Sequence, residues 1–552
     1  MAVAATCYSM AVDVACIPGL GGPPPGPCPE PHARRREDRV SQAPAVAAES
    51  AGRPGRAVAR ATTWVLIVAG LVYGLTLGGG LTTTDARYIL DVSRNIVEHG
   101  SVALSPELSD RESNRGVDGR YYSQYGLGHS IYGIPFYLAG RSMDRVAGSR
   151  VGRPQAFAKA TFGLGSAVAA AASVALCFLF AWQLTGNGRA ALYAALAAGF
   201  GSPLWPYSGF GFNATLATLA LVGACLTAWI GATHNRAGAM VTAGLLLGFG
   251  WLTRHEQVLA VLPVGAFLLL QHRGRPRRLL RDVALLSPGL LGAAVLLAIY
   301  NRTRFGSPVE FGYAPEFSLA GFWGFTLSPG GSLVLYAPIV LVALAGLWLM
   351  WRERALAPVV LVGGQFVLFF VFFASLDDWP GGRAYGPRYL VPAVALVCVV
   401  TSAVYVRASA GWRRILLAAL VVSSVLQLPG VLVDYSRVSR GDVPLREQHD
   451  RLATSAFGAC AVAAVDAVPR NARYMLGLES PPSVSRSGGD EFHERLAFSL
   501  DFWWAYLFYL HVIPRWVALA APLVGTMALV VAVLRLRACV SVLSSAAGDG
   551  GS

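Results

Sequence analysis

Long apolar segments recur along the whole chain and indicate a membrane-embedded helical fold. Stretches such as 61–80, 160–184 and 515–534 are long enough to cross a bilayer as single helices, which takes about 20 residues each. Of the 552 residues, 54% are hydrophobic and only 14% are charged, which is too apolar for a soluble globular protein. We therefore predict an all-α, polytopic integral membrane protein.

The basic residues give that protein an orientation. The formal net charge of +14 raises nucleic acid as a partner, but the arginines cluster at the ends of apolar segments, as in HRGRPRRLLR at 272–281. Such clusters are typical of cytoplasmic connections between membrane helices. We predict a multi-pass plasma (inner) membrane protein with both termini in the cytoplasm, the lipid bilayer as its surroundings and no nucleic-acid partner.

The alternation of basic and acidic connections predicts about twelve crossings. In this scheme 125–140 returns across the membrane, whereas 189–206 dips in and returns as a short re-entrant element because two prolines interrupt it. The predicted divisions are a disordered basic cytoplasmic tail (1–60), a membrane domain (61–537) with outer loops at 81–124 and 434–502, and a flexible C-terminal tail (538–552).

The chain lacks the sequence patterns of common cofactor sites. Its eight cysteines are spread singly, with no CxxC and no paired histidines, so neither a zinc site nor a disulfide framework is predicted. There is also no DxD for a nucleotide-sugar metal and no GxxxxGK[ST] for a nucleoside triphosphate. The cofactor requirement stays unknown: a divalent metal is possible, and no metal ligand is assigned.

An acid stands where the chain leaves its first apolar segment. Asp85 opens a short amphipathic helix, predicted to lie on the membrane surface with juxtamembrane residues of the first outer loop. An aspartate at this point is also a good helix N-cap. The segment DGRYYSQY at 118–125 adds Asp118, Arg120 and tyrosines at the same boundary, which favours a site over a cap alone.

Two further outer segments join arginines, tyrosines and glycines at a membrane boundary: YNRTRFGSPVEFGY at 300–313 and SLDDWPGGRAYGPRYLVP at 375–392. An aromatic belt with snorkelling arginines is the plainer interpretation. In the second segment, however, Arg383 and Arg388 flank Tyr385 in a turn rich in Gly and Pro, and they offer planar donors for a phosphate.

Arg254, in WLTRHEQ, has an apolar run on each side, so an unpaired charge there is costly. Its neighbour Glu256 lies at a spacing that does not face Arg254 on a helix. We therefore expect Arg254 to bind a phosphate or a distant acid rather than Glu256.

These motifs resemble the GT-C class of membrane glycosyltransferases, especially the protein O-mannosyltransferase and lipid A aminoarabinose transferase group. The resemblance extends over roughly 62–535. It rests on Asp85 at the first membrane exit and on YYSQYGLGHSIYGIPFYLAG, FGSPVEFGY, LSPGGSLVLYAP, GGRAYGPRYLVP and DFWW. Two departures stand out: Ala86 follows Asp85 where the family often has a second acid, and Asn213 stands where relatives commonly have an acid.

The resemblance implies an inverting transfer of sugar from a polyprenyl-phosphate-linked donor to an acceptor hydroxyl at the extracytoplasmic face, with Asp85 as the base. The acceptor is a glycan, a lipid or a protein. The residues predicted to bind donor phosphate or sugar are Arg120, Tyr121, Tyr122, Arg254, Arg383, Tyr385 and Arg388, and the second-choice acids are Asp377, Asp378 and Asp118.

Two other functions stay open at this point. A polytopic transporter or lipid-sugar flippase without transferase chemistry also places polar groups along membrane spans. A ligase that uses a diphosphate-linked donor would have the same sequence features as the transferase.

Overall fold

A computed structural model describes residues 43–108, 114–147, 155–312, 316–382, 384–438, 449–479, 500–509 and 511–546. Three predictions fall wholly or partly outside these residues: the role of Arg383, the tail up to residue 42, and the last outer loop at 439–448 and 480–499. In the described part the only strands are the two-residue pair β1 (Asn114–Arg115) and β2 (Tyr121–Tyr122), which is antiparallel. The prediction of an all-α membrane protein is confirmed.

The helices follow one another with short connections. In chain order they are α1 (Ala43–Leu75), α2 (Thr84–His99), α3 (Leu127–Ala147), α4 (Ala156–Thr185), α5 (Gly188–Gly199), α6 (Leu204–Tyr207), α7 (Asn213–His234), α8 (Ala237–Thr253), α9 (Val261–Gln271), α10 (Pro276–Phe305), α11 (Ala320–Leu327), α12 (Leu333–Tyr336), α13 (Ile339–Arg352), α14 (Leu356–Ala374), α15 (Arg388–Arg407), α16 (Ala410–Leu432), α17 (Tyr435–Val438), α18 (Ala456–Leu476), α19 (Trp503–Tyr509) and α20 (Arg515–Ala546). The 3₁₀ turns include Pro106–Leu108 and His255–Ala260.

Within the described residues, eight helices are long and apolar enough to cross a membrane: α1, α4, α7, α10, α14, α15, α16 and α20. Shorter apolar helices accompany them, among them α8 and α13. The terminal helices extend past the predicted domain boundaries, because α1 already begins at Ala43 and α20 continues to Ala546. The end of the bundle that carries α2 is called the Asp85 end below, and the other is called the opposite end.

Small residues let the central helices approach closely. The membrane-length stretches of α4 and α7 are 89% and 94% buried and are rich in Ala and Gly. Between α8 and α10 the backbones nearly touch, since a Cβ at Gly244 would lie 2.1 Å from the carbonyl oxygen of Leu286. Close packing through small residues is how membrane helices associate without a hydrophobic driving force between them.

The predicted return crossing at 125–140 is wrong, because α3 packs along α2 at the Asp85 end. The hydroxyl of Tyr137 donates to Glu98 at 2.6 Å, and Arg141 forms an ion pair with the same carboxylate at 3.0 Å. The far end of α3 meets the beginning of α4, where Asp144 accepts hydrogen bonds from the amides of Phe157 and Ala158. The charges around residue 141 therefore hold a surface helix in place and do not mark a cytoplasmic connection.

The predicted re-entrant element at 189–206 is also wrong, because α5 runs between the two ends of the bundle. Its first residue, Gly188, packs against Leu543 near the far end of α20. Its last residue, Gly199, accepts a hydrogen bond from the Tyr73 hydroxyl, near the Asp85 end of α1. Pro203 and Pro206 lie beyond this helix, where they belong to the turn that leads into α7. The first error removes one crossing from the predicted scheme, and the second adds one.

Candidate active site

Asp85 lies in the first turn of α2 but is not its N-cap. The side chain of Thr83 accepts the capping hydrogen bond from the amide of Ala86, which frees the Asp85 carboxylate for other contacts. Asp85 is 6% exposed, and its negative charge is favoured by the N-terminal end of the helix dipole. The capping interpretation of this aspartate is therefore set aside.

Two side chains from distant parts of the sequence meet the Asp85 carboxylate. The Tyr125 hydroxyl donates a hydrogen bond to Oδ1 at 2.7 Å, and Nη2 of Arg388 lies 3.0 Å from Oδ2. Tyr125 comes from the loop just before α3, and Arg388 is the first residue of α15. The contact thus joins the first loop to a helix that starts about 300 residues later in the chain.

Aromatic rings hold the Arg388 guanidinium beside Asp85. Its Cζ lies 5.2 Å from the centre of the Phe212 ring and 5.3 Å from that of Tyr389. Cation–π contacts of this kind stabilise a guanidinium that has lost water. Phe212 directly precedes Asn213, one of the two positions that the sequence analysis noted as differing from the family pattern, so Asn213 lies close to the site.

Arg254 approaches the same tyrosine from another helix end. Its Cζ lies 5.4 Å from the Tyr389 ring centre and 5.7 Å from that of Phe373. The two rings stack on each other at 4.9 Å with an interplanar angle of 9°. Arg254 and Arg388 therefore converge on one ring at the Asp85 end.

The expectation that Arg254 does not pair with Glu256 is wrong, because the two side chains form an ion pair. Helix α8 ends at Thr253, and Arg254 is extended, with φ −142° and ψ 126°. Glu256 then lies in the 3₁₀ turn His255–Ala260. The helical spacing on which the expectation rested does not apply to this break in the helix.

Of the second-choice acids, Asp378 is linked to the site through Tyr389, whose hydroxyl donates to its Oδ2 at 2.5 Å. Asp377 is exposed, and its amide donates to the carbonyl of Glu316. Both acids lie in the turn before α15, on the side of Tyr389 that carries the hydroxyl group.

Tyr385 is in the packed interior, contrary to its predicted place in a phosphate site. Its ring is fully buried, lies 5.0 Å from that of Tyr336, and its hydroxyl donates to the carbonyl of Leu426. Gly386 has a positive φ of 70°, which turns the chain so that Arg388 and Tyr389 reach the site instead. Tyr385 stabilises the bundle and has no described polar contact with Asp85.

The predicted group around Arg120 forms its own cluster on the β1–β2 hairpin. Asp118 accepts hydrogen bonds from Arg120 at 2.6 Å and from the Tyr122 hydroxyl at 2.8 Å, while Tyr121 is partly exposed. The hydrogen bond from Arg120 lowers the pKa of the exposed Asp118 carboxyl. In the part of the chain that the structure describes, no contact joins this cluster to Asp85. The tyrosine of this segment that contacts Asp85 is Tyr125.

Tyr125 and Tyr389 are the site residues that the sequence analysis did not single out. Both lie inside motifs that the sequence analysis quoted. Tyr389 directly follows Arg388, and Tyr125 lies three residues after Tyr122. Within the described ranges, no group of three His, Cys, Asp or Glu side chains is arranged to hold a metal ion.

Comparison with known proteins links one part of the chain to a glycosyltransferase family. Residues 158–300, which run from α4 through most of α10 and include Arg254, match the family model of dolichyl-phosphate-mannose-protein mannosyltransferases. No curated protein sequence matches the chain significantly.

Two solved structures of ArnT from Cupriavidus metallidurans are similar to this chain. The structure bound to undecaprenyl phosphate has 17% sequence identity and a TM-score of 0.47, and the match covers 85% of this chain and 76% of that one. For the apo structure the identity is 17% and the TM-score 0.48, with 87% and 76% of the two chains covered.

Proposed function

We propose that this protein is a membrane glycosyltransferase of the GT-C class, which moves a sugar from a polyprenyl-phosphate-linked donor to an acceptor hydroxyl with inversion at the anomeric carbon. The observation that carries the proposal is the contact of the buried Asp85 carboxylate with Arg388 and Tyr125. It brings together a carboxylate that can act as a base and a guanidinium that can bind a phosphate, and the match of residues 158–300 to the mannosyltransferase family supports the reaction class.

In the proposed reaction Asp85 accepts the proton of the acceptor hydroxyl as that oxygen attacks the anomeric carbon. The bond between this carbon and the phosphate oxygen breaks, and the electron pair leaves with the lipid phosphate. Arg388 and Arg254 stabilise the charge that develops on the phosphate. A guanidinium has five N–H donors, so Arg388 can contact a phosphate without releasing Asp85.

The distribution of charge supports an extracytoplasmic site. Connections at the opposite end carry many arginines, including the run at 273–281 and the pair Arg352 and Arg354. An excess of Lys and Arg marks the cytoplasmic side. On this basis the Asp85 end faces outward, both termini are cytoplasmic, and the donor tail stays in the bilayer while its phosphate meets the arginines.

Charge placement also favours a transferase over a transporter. A transporter needs polar groups near the midplane of the bilayer. Here Asp85, Arg254 and Arg388 meet at one end of the bundle, beside the loops that an acceptor can reach.

The test is purified protein in proteoliposomes, supplied separately with polyprenyl-monophosphate mannose and its diphosphate counterpart together with a mixture of peptide, glycan and lipid acceptors. We expect monophosphate donor to be consumed and free polyprenyl phosphate to appear. Consumption of the diphosphate donor alone would identify a ligase. Movement of intact donor between leaflets without cleavage would identify a flippase.

Removal of the Tyr125 hydroxyl should weaken catalysis without changing donor affinity. Tyr125→Phe loses a hydrogen bond to a charged group, so we expect turnover to fall about tenfold, at the low end of what such bonds contribute.

Burial, and next the charge of Asp85, raise the pKa of Tyr125 well above its usual value. The hydroxyl therefore stays protonated, and turnover of the unmodified enzyme should show no alkaline loss from this group up to about pH 9.

Initial rates as a function of donor concentration and pH check this prediction. Tyr121→Phe, on the hairpin, is the matched control because it removes a partly exposed tyrosine hydroxyl from the same loop. Equal losses in the two variants would show that Tyr125 has no special role.

A further inference from the structure

Arg304, in the last turn of α10, is fully buried and carries its charge without an acidic partner among the described residues. Its guanidinium donates to the carbonyl of Ser123 at 2.5 Å, to Oδ1 of Asn301 at 2.7 Å and to the carbonyl of Tyr300 at 3.3 Å. The residue belongs to the motif YNRTRFGSPVEFGY, to which the proposed reaction assigns no role.

Neutral groups take the place of a counter-ion around this charge. Its Cζ lies 3.6 Å from the ring centre of Tyr300 and 4.6 Å from that of Phe305. The carbonyl end of the α10 dipole also favours a cation. A buried charge is costly unless its hydrogen bonds are satisfied. A charge kept in such a place points to a contact that an apolar side chain cannot make.

That contact is with the loop that carries Tyr125. The amide of Val117 donates to the carbonyl of Arg304 at 3.0 Å, and the Arg304 guanidinium donates to the carbonyl of Ser123. The hydroxyl oxygen of Ser123 in turn accepts a hydrogen bond from the amide of Tyr125 at 3.1 Å. Tyr125 then donates to Asp85. Arg304 thus holds the hairpin loop at Val117 and at Ser123, and Ser123 lies two residues before the tyrosine that contacts the proposed base.

We infer that Arg304 is a positioning residue for the reaction: it holds the 117–125 loop so that Tyr125 reaches Asp85. The kinetic part of this inference rests on the proposed function, whereas the structural part does not. A neutral side chain of similar length would leave the carbonyl of Ser123 without its charged donor. The loop would then be free to move the Tyr125 hydroxyl away from the carboxylate.

Arg304→Lys is the first test, because it keeps the charge but loses the planar fork that reaches Ser123 and Asn301 together. We expect kcat to fall about tenfold with the donor KM unchanged, the size of one charge-assisted hydrogen bond. Arg302→Lys is the matched control, since Arg302 is exposed on the same turn of α10. Hydrogen exchange of the 116–125 peptide should rise in Arg304→Lys while exchange in α4 and α7 stays unchanged.

A double-mutant cycle with Tyr125→Phe separates positioning from mere stability. If Arg304 acts through Tyr125, the double variant is no slower than Tyr125→Phe alone. Multiplying losses, or unchanged exchange at 116–125, would overturn the inference. If Arg304→Lys does not fold, Asn301→Ala is the alternative, because it keeps the arginine and removes one of its acceptors. We expect the same changes in kcat and in hydrogen exchange at 116–125, but smaller ones. Altered exchange in a protein without any transfer activity would contradict the proposed function but leave the loop contact standing.

Discussion

Asp85→Asn is expected to reduce sugar transfer by roughly 10²- to 10⁴-fold, the usual contribution of a general base. The amide has nearly the same shape as the carboxylate but cannot accept the acceptor's proton. Tyr125 and Arg388 keep a polar partner, so donor binding should persist. Turnover at saturating donor in proteoliposomes, per folded molecule, measures the effect.

The control for this prediction is Asp466→Asn, which removes an exposed acid of α18 that pairs with Arg470 on the helix surface. This variant should transfer sugar at the unmodified rate. A thermal melt is needed for both, because Asp85→Asn leaves the Arg388 cation without its ion-pair partner and is expected to be less stable. Near-normal turnover in Asp85→Asn, together with a loss of turnover in Asp377→Asn or Asp378→Asn, would indicate that the base is in the turn before α15.

The sequence predicted the charged residues that lie together at the Asp85 end better than it predicted the tyrosines that contact them. Asp85, Arg254 and Arg388 each combine a charge with an apolar neighbourhood, and such a charge needs a partner wherever the chain folds. Which tyrosine joins them depends on local turns. A positive φ at Gly386 turns Tyr385 inward and presents Tyr389, and the β1–β2 hairpin keeps Tyr122 apart from Tyr125.

The two errors in the predicted path of the chain, at 125–140 and at 189–206, also depend on contacts that the sequence does not show. The segment at 125–140 begins a helix that is less apolar than the eight membrane-length helices, and its contacts with Glu98 and with the start of α4 show that it lies at the Asp85 end. The twelve residues of α5 are short for a crossing, yet they extend between the two ends because α4 and α20 flank them. Hydropathy describes the surroundings of a helix, and α5 is surrounded largely by protein.

The ion pair of Arg254 with Glu256 shows the limit of spacing rules. Side chains two residues apart do not face each other on a helix. The rule fails at a helix end, where Arg254 is extended. The pair leaves Arg254 close to Tyr389, so it does not remove this guanidinium from the proposed phosphate site.

Arg388→Lys should raise the donor concentration needed for half-maximal transfer by about tenfold to a hundredfold, since a charge-assisted hydrogen bond contributes about 1.5–3 kcal/mol. Lysine keeps the positive charge beside Asp85 but is a point charge that lacks the planar fork needed to contact a carboxylate and a phosphate at once. Arg388→Ala should be worse, because it also leaves the buried Asp85 carboxylate unpaired.

The matched control is Arg407→Lys, at the opposite end of the same helix, where the arginine pairs with Glu353. The same substitution there should leave the donor dependence unchanged, because that ion pair is far from the site and exposed to solvent. Rates over a range of donor concentrations, measured beside thermal melts, separate binding from stability. If Arg388 only anchors α15 against α2, both Arg388 variants should melt earlier while the folded enzyme keeps its donor affinity, and the phosphate would then have to be bound by Arg254 and other groups.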